Sequence, residues 1–206
     1  MRPLALRDLR IGRVDRPLLD DVTFEVPAGG ALALQGPNGL GKTTLLRTLA
    51  GLMPPLSGAV SHDTEDVAYA AHLDALKPAL SVRESLAFWA DLYGTAQVDA
   101  ALAAFNLQAL ADRPCAMLSA GQRRRCALAR LVVSGRSIWL LDEPTAALDA
   151  QGQAELADVL KAHSARGGIA LLVTHAPLPI PCETLELTPF RAKPDLTGNA
   201  FGEALA

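Results

Sequence analysis

The sequence predicts an α/β fold. Its core is a buried sheet bearing a phosphate-binding loop, with antiparallel strands at its β edge and a helical subdomain inserted midway. Three observations carry this expectation. Ala31-Leu32-Ala33-Leu34-Gln35 is a short apolar run, followed by a glycine-rich loop and then by Leu45-Leu46-Arg47-Thr48-Leu49-Ala50 at helical spacing. Two further apolar runs, Ser137–Leu141 and Ile169–Val173, have no alternation, as strands buried on both faces should not. Between them and the loop, residues 74–134 are dominated by helical periodicity.

The glycine loop is the stretch that carries chemistry. Gly36-Pro37-Asn38-Gly39-Leu40-Gly41-Lys42-Thr43-Thr44 fits G-x-x-x-x-G-K-S/T between a strand and a helix, the P-loop of an NTPase core. Glycines let the backbone approach a phosphate with no Cβ in the way. The loop N–H groups and the positive end of the following helix then face the anion. Lys42 supplies a mobile cation for the β- and γ-phosphates, and Thr43 offers a hydroxyl to Mg²⁺. All nine residues are candidate nucleotide-binding positions.

The elements follow in order. Residues 4–35 read as strands, with Val22–Val26 alternating apolar and polar, and Pro27–Gly30 as a turn. After the P-loop helix, Gly51 sits at a helix stop. Short strands are expected near 59–61 and 67–71. Residues 82–93 predict a helix with Ser81 as N-cap and Glu84 closing a capping box; Gly94 ends it. Further helices are expected over 98–110 and 120–133. After the strand at 137–141, a helix is expected over 150–164, then the strand 169–173 and a last strand at 183–188. Residues 189–206 carry no pattern and predict a loosely held tail. The 206 residues predict one domain carrying a helical subdomain over about 74–134.

Composition excludes several classes. A net charge of −3, with no basic half, argues against a nucleic-acid surface. The longest apolar runs are too short to span a bilayer, and no signal-peptide stretch follows Met1. Cys115, Cys126 and Cys182 have no metal-like spacing and predict reduced thiols in a cytosolic protein. Any membrane is therefore reached through a partner.

Ligands of open α/β sheets sit outside the carboxyl ends of strands. Three such ends carry chemistry here: the P-loop, Asp142-Glu143 and Thr174-His175. An Asp-Glu pair alone is a solvated turn; after an apolar strand in a P-loop protein, Asp142 reads as the Walker B metal ligand and Glu143 as the group that orients water. Leu118-Ser119-Ala120-Gly121-Gln122, followed by Arg123-Arg124-Arg125, places small residues at a helix start, where free N–H groups form an anion site. A Ser N-cap accounts for Ser119 but not for the pentamer.

These motifs, in this order, resemble the nucleotide-binding domain of ABC transporters over about residues 4–188. The matching segments are the P-loop, the Leu118–Gln122 signature, the Leu140–Glu143 Walker B motif, the Ala147-Leu148-Asp149 D-loop and the His175 switch. The resemblance implies ATP and Mg²⁺ as cofactors and a head-to-tail dimer. In that dimer Ser119, Gly121 and Gln122 of one copy would close on the nucleotide held by the other. Lys42, Thr43, Asp142, Glu143 and His175 would act within their own chain. It also implies an integral membrane permease subunit as partner, a peripheral place on the cytoplasmic face of the inner membrane, and no nucleic-acid partner.

Three departures stand out. The signature has Ala120 where Gly is usual. His72, in Tyr69-Ala70-Ala71-His72, occupies the metal-binding Gln position of the family's Q-loop. No aromatic residue lies between residues 10 and 19, where the family offers a ring to adenine; Arg13 is the residue there able to stack on a base. Weak discrimination between ATP and GTP is expected. His72, the run Leu76–Leu86 and the Leu-Ser-Ala-Gly-Gln signature followed by Arg-Arg look like the ATP-binding subunits of haem exporters in bacterial cytochrome c maturation. The alternatives are the ATPase of another ABC exporter, a soluble ABC-type ATPase acting on ribosomes or DNA, and a small-molecule P-loop kinase. The second usually has two cassettes or a long coiled-coil insertion; the signature pentamer argues against the third.

Overall fold

The computed structural model describes residues 2–13, 16–72, 74–174 and 180–193. Strands β1 (Leu4–Arg13), β2 (Arg16–Val26) and β4 (Ser57–Val60) form an antiparallel sheet in the order β2-β1-β4. The strands β3 (Ala31–Gln35), β5 (Val67–Ala70), β6 (Ile138–Asp142), β7 (Ile169–Val173) and β8 (Glu183–Glu186) form a second sheet, β5-β6-β7-β3-β8, parallel throughout. The expected antiparallel β edge is thus a sheet of its own. Its strand β1 turns Leu4, Leu6, Leu9 and Ile11 all inward, which a strict period of two cannot do. A bulge restores the face: Asp8 adopts φ +49°, and its N–H donates to Thr23 Oγ1 at 2.9 Å.

The parallel sheet divides two cores. Ile138, Leu140, Ile169, Leu171 and Val173 face the antiparallel sheet and helix α1 (Lys42–Leu49). Trp139, Leu141, Ala170 and Leu172 face the opposite core, built with the helical block and helix α5 (Ala150–Ala165). That is why these strands read as continuous apolar runs.

The helical block comprises α2 (Val82–Tyr93), α3 (Val98–Ala104) and α4 (Ala120–Ser134). Its first helix begins at the expected capping box: Glu84 N–H donates to Ser81 Oγ at 3.1 Å, and Ser81 N–H to Glu84 Oε2 at 2.8 Å. The helix expected over 98–110 is shorter. It ends at Ala104, because Asn106 takes the left-handed φ of +48° and Leu107 N–H returns to Leu102 O at 2.8 Å. Phe105 and Leu107 then both reach the core, which a continued helix would not allow. Residues 188–190 form a 3₁₀ turn, and Arg191 bridges to Leu19, so the start of the expected tail is held against β2. The rest of that tail, from 194, lies outside the described residues. All three cysteines are free thiols.

At the other end of the sheet, His163 of α5 stacks on Trp139 with ring centroids 3.7 Å apart and planes 9° from parallel. A Cβ on Gly168 would stand 2.3 Å from His163 Nε2, so glycine is required beside the ring. Burial lowers the His163 pKa from 6.5 to about 4. The unfolded chain binds this proton below about pH 6.5 and the native one does not, so stability falls as pH drops through that window. The slope is at most about 1.4 kcal/mol per pH unit. Thermal melts from pH 7 to pH 5 should show the loss, and His163→Phe should flatten it. Parallel curves for the two proteins would contradict this reading.

Candidate functional site

The loops after β3 and β6 flank the end of β7 and enclose a cleft of about 290 Å³. Asn38, Gly39, Gly41, Lys42, Thr43 and Thr44 line one side; His72, Asp142, Glu143 and Val173 line the other. Gly41 is the N-cap of α1 at φ +118°, a region that disfavours any side chain. Lys42 is buried, and its ammonium donates to the Gly36 and Pro37 carbonyls at 2.6 and 3.0 Å. The cation is thereby held across the loop. Gly36 and Pro37 border an adjoining cavity with Lys42 and Thr174. Leu40 differs from its neighbours: its side chain is 3% exposed and belongs to the core, so only its backbone is available to a ligand.

The acid at the end of β6 is bound from both sides. Thr43 Oγ1 donates to Asp142 Oδ1 at 3.2 Å, and Tyr69 Oη donates to Asp142 Oδ2 at 3.4 Å. Burial, reinforced by the Asp142 charge, raises the Tyr69 pKa, so the phenol stays a donor. Glu143 has φ +49°, and its N–H donates to Val173 O at 2.8 Å. A threonine hydroxyl beside a carboxylate is a hard-oxygen pair of the kind Mg²⁺ accepts alongside phosphate and water. Among the described residues no group of three or more His, Cys, Asp or Glu is arranged to hold a metal.

Two residues here went unread in the sequence. Tyr69 is one. The other is Arg124, a buried arginine on α4 that donates to Glu143 O at 2.7 Å and to Ala71 O at 2.9 Å. Position 124 shares a helical face with the buried Ala127, Leu128 and Leu131, and a charge on that face was the available signal. His175 lies outside the described residues. Arg13 is exposed and does not line the cleft; Leu18 of β2 does, and it packs beside Gly41.

A family model described as "ABC transporter" matches residues 19–146. The chain belongs to the ABC transporter family. The relatives include proteins named "Cytochrome c biogenesis ATP-binding export protein CcmA". That of Paracoccus denitrificans is 55% identical over 93% of this chain and 92% of its own length. That of Rhodobacter capsulatus is 53% identical over 98% of this chain and 95% of its own. Among solved structures, a putative ABC transporter ATP-binding protein from Pyrococcus furiosus superposes with a TM-score of 0.81 at 25% identity, covering 92% of this chain and all of that one. The cbiO1 protein of Clostridium perfringens, part of the ABC transporter complex cbiONQ, gives 0.72 at 27% identity, covering 84% of this chain and 78% of that one.

This ABC ATPase has an ATP-binding fold, and its signature stands apart from its own cleft. Ser119 is exposed and caps α4: Gln122 N–H donates to Ser119 Oγ at 3.2 Å, and Ser119 N–H to Gln122 Oε1 at 2.9 Å. Neither Ser119, Gly121 nor Gln122 lines the cleft. A Cβ on Gly121 would come within 3.1 Å of Ala147 O, so the signature packs on the Ala147–Asp149 turn. Asp149 in turn caps α5, accepting from Gly152 N–H at 2.8 Å. Among the described residues no helix of the ABC ATPase is long and apolar enough to cross a membrane. Leu18, which lines the cleft, is aliphatic, and a stacked ring would be worth roughly 1–3 kcal/mol. Competition of GTP against ATP should therefore show a small ratio; a preference near a hundredfold, about 2.8 kcal/mol, would mean another group reads the base.

Proposed function

We propose that this ABC ATPase powers an exporter of cytochrome c biogenesis, with haem as the exported cargo. In this reading it works as a head-to-tail dimer docked on an integral membrane permease, at the cytoplasmic face of the inner membrane. The observation that carries the reading is the gathering of Lys42, Thr43, His72, Asp142 and Glu143 at one cleft. It occurs in a chain that is 55% identical, over 93% of its length, to a protein named for cytochrome c biogenesis export.

Lys42 and the N–H groups at the start of α1 neutralise the β- and γ-phosphates. Thr43 and Asp142 would hold Mg²⁺, which would supply charge neutralisation for the phosphates. Glu143 takes the proton of the attacking water and fixes its line of approach. Ser119, Gly121 and Gln122 come from the second copy, as their distance from the cleft of their own chain supports. His175, the switch residue by the family resemblance, acts within its own chain in this reading.

His72 is assigned to coupling. An imidazole nitrogen suits Mg²⁺ poorly, and the residue sits between the cleft and the helical block, where it can report phosphate state to a partner. It is not assigned as a haem ligand. The test is His72→Gln in cells that depend on this chain for cytochrome c assembly, with the wild-type chain purified from membranes. Co-purification of an integral membrane protein and continued assembly by the variant are expected. Loss of assembly with intact ATP hydrolysis, together with a His72-dependent Soret shift on haem titration, would make the subunit a haem carrier. Failure of any membrane protein to co-purify would sink the exporter reading.

A further inference from the structure

Arg124 lies in the second turn of α4, two residues past the Leu118–Gln122 signature, and is only 2% exposed. Its guanidinium is shared between two segments. On one side Nη1 donates to Ala71 O at 2.9 Å, His72 O at 3.3 Å and Asp74 Oδ1 at 3.3 Å. On the other side Nη2 donates to Asp142 O at 3.1 Å and Glu143 O at 2.7 Å, with Nε 3.4 Å from Pro144 O. The plane of the guanidinium is rigid, with its donors in a fixed fork. A shift of the segment around His72 is therefore passed to the carbonyl of Glu143.

Glu143 is where such a shift matters. Its backbone has φ +49°, which a residue with a Cβ resists. Both peptide groups beside its Cα are held: its N–H donates to Val173 O at 2.8 Å, and its carbonyl accepts from Arg124. With both pinned, the direction in which the carboxylate leaves the chain is set. Stability alone accounts poorly for this arginine. A buried cation pays desolvation, and Asp74, the carboxylate it pairs with, has a side chain that is 27% exposed.

We infer that Arg124 is a positioning residue that couples the segment around His72 to the orientation of Glu143. The inference rests on the reading of Glu143 as the group that orients water. Lysine keeps the charge at position 124 but cannot bridge two segments with one plane.

The test uses the full chain, measuring kcat by phosphate release and ATP affinity by displacement of a fluorescent ATP analogue. Arg124→Lys is expected to lower kcat about tenfold while ATP affinity stays within about twofold, since the P-loop is untouched. In a Glu143→Gln background the same change should alter the residual single-turnover rate by less than about twofold, because the group it acts through is gone. Equal proportional losses in both backgrounds would overturn the inference, as would a loss of ATP affinity in step with kcat. Should Arg124→Lys not fold, Asp74→Asn loosens the arginine from its more exposed side. A kcat lowered about threefold at unchanged affinity supports the coupling, and an unchanged kcat overturns it. A wild-type chain that hydrolyses no ATP with Mg²⁺ would overturn the reading of Glu143 as well, which separates the two failures.

Discussion

Lys42→Ala is expected to reduce ATP hydrolysis by at least about a hundredfold, the scale on which a preorganised charge-stabilising donor acts. Lys42 is the cation the P-loop itself carries, and its ammonium is already held between the Gly36 and Pro37 carbonyls at 2.6 and 3.0 Å. Those bonds keep the side chain across the loop mouth rather than out in solvent. Phosphate oxygens entering the loop would meet a pre-placed charge. Alanine leaves the loop geometry to its glycines, so the fold should survive and the melting temperature should change little. Phosphate release by the purified chain at saturating ATP checks the prediction, and wild-type turnover in the variant would contradict it.

Glu143→Gln should separate binding from chemistry. The amide has nearly the shape of the carboxylate and leaves Lys42, Thr43 and Asp142 in place, so ATP still binds. It cannot take the proton of an attacking water, so turnover should fall about a hundredfold or more, the upper part of the range for a lost general base. ATP then persists at the site and should hold two copies together. Size-exclusion chromatography with ATP and Mg²⁺ should show a dimer that is absent with ADP. A variant that hydrolyses ATP at the normal rate would remove Glu143 from its role.

The parts of the site that could be read from the sequence are those whose geometry is local. Gly36 to Thr44 make their own turn and helix start, and a run of buried residues from Ile138 delivers Asp142 to a strand end. Each is specified within about ten residues of chain. What escaped reading is held by distant partners. Tyr69 meets Asp142 across 73 residues of sequence, and Arg124 meets Ala71 across 53. Helical spacing sets the second arginine of Arg123-Arg124-Arg125 on a buried face, but it does not say what that face meets: Arg123 returns to Leu118 O at 2.7 Å, and Arg125 pairs with Glu155 at 3.4 Å. Only the fold decides which of the three faces the strand ends. The early stop of α3 has the same origin, since an alanine-rich helix ends where Phe105 and Leu107 find a core to enter.

The central claim is that each catalytic site is shared between two copies of this chain. It is tested most directly by mixing two inactive variants, Lys42→Ala and Ser119→Arg. Ser119 is exposed and away from the cleft, so the arginine should cost the fold little beyond the α4 cap, about 1 kcal/mol. In a symmetric head-to-tail pair, a mixed dimer collects both lesions in one site and leaves the other intact. With half the dimers mixed, about a quarter of the wild-type sites are restored, and ATP hydrolysis should reappear on that order. If Ser119 served the P-loop of its own chain, every site would carry one lesion, and the mixture would stay as inactive as its components.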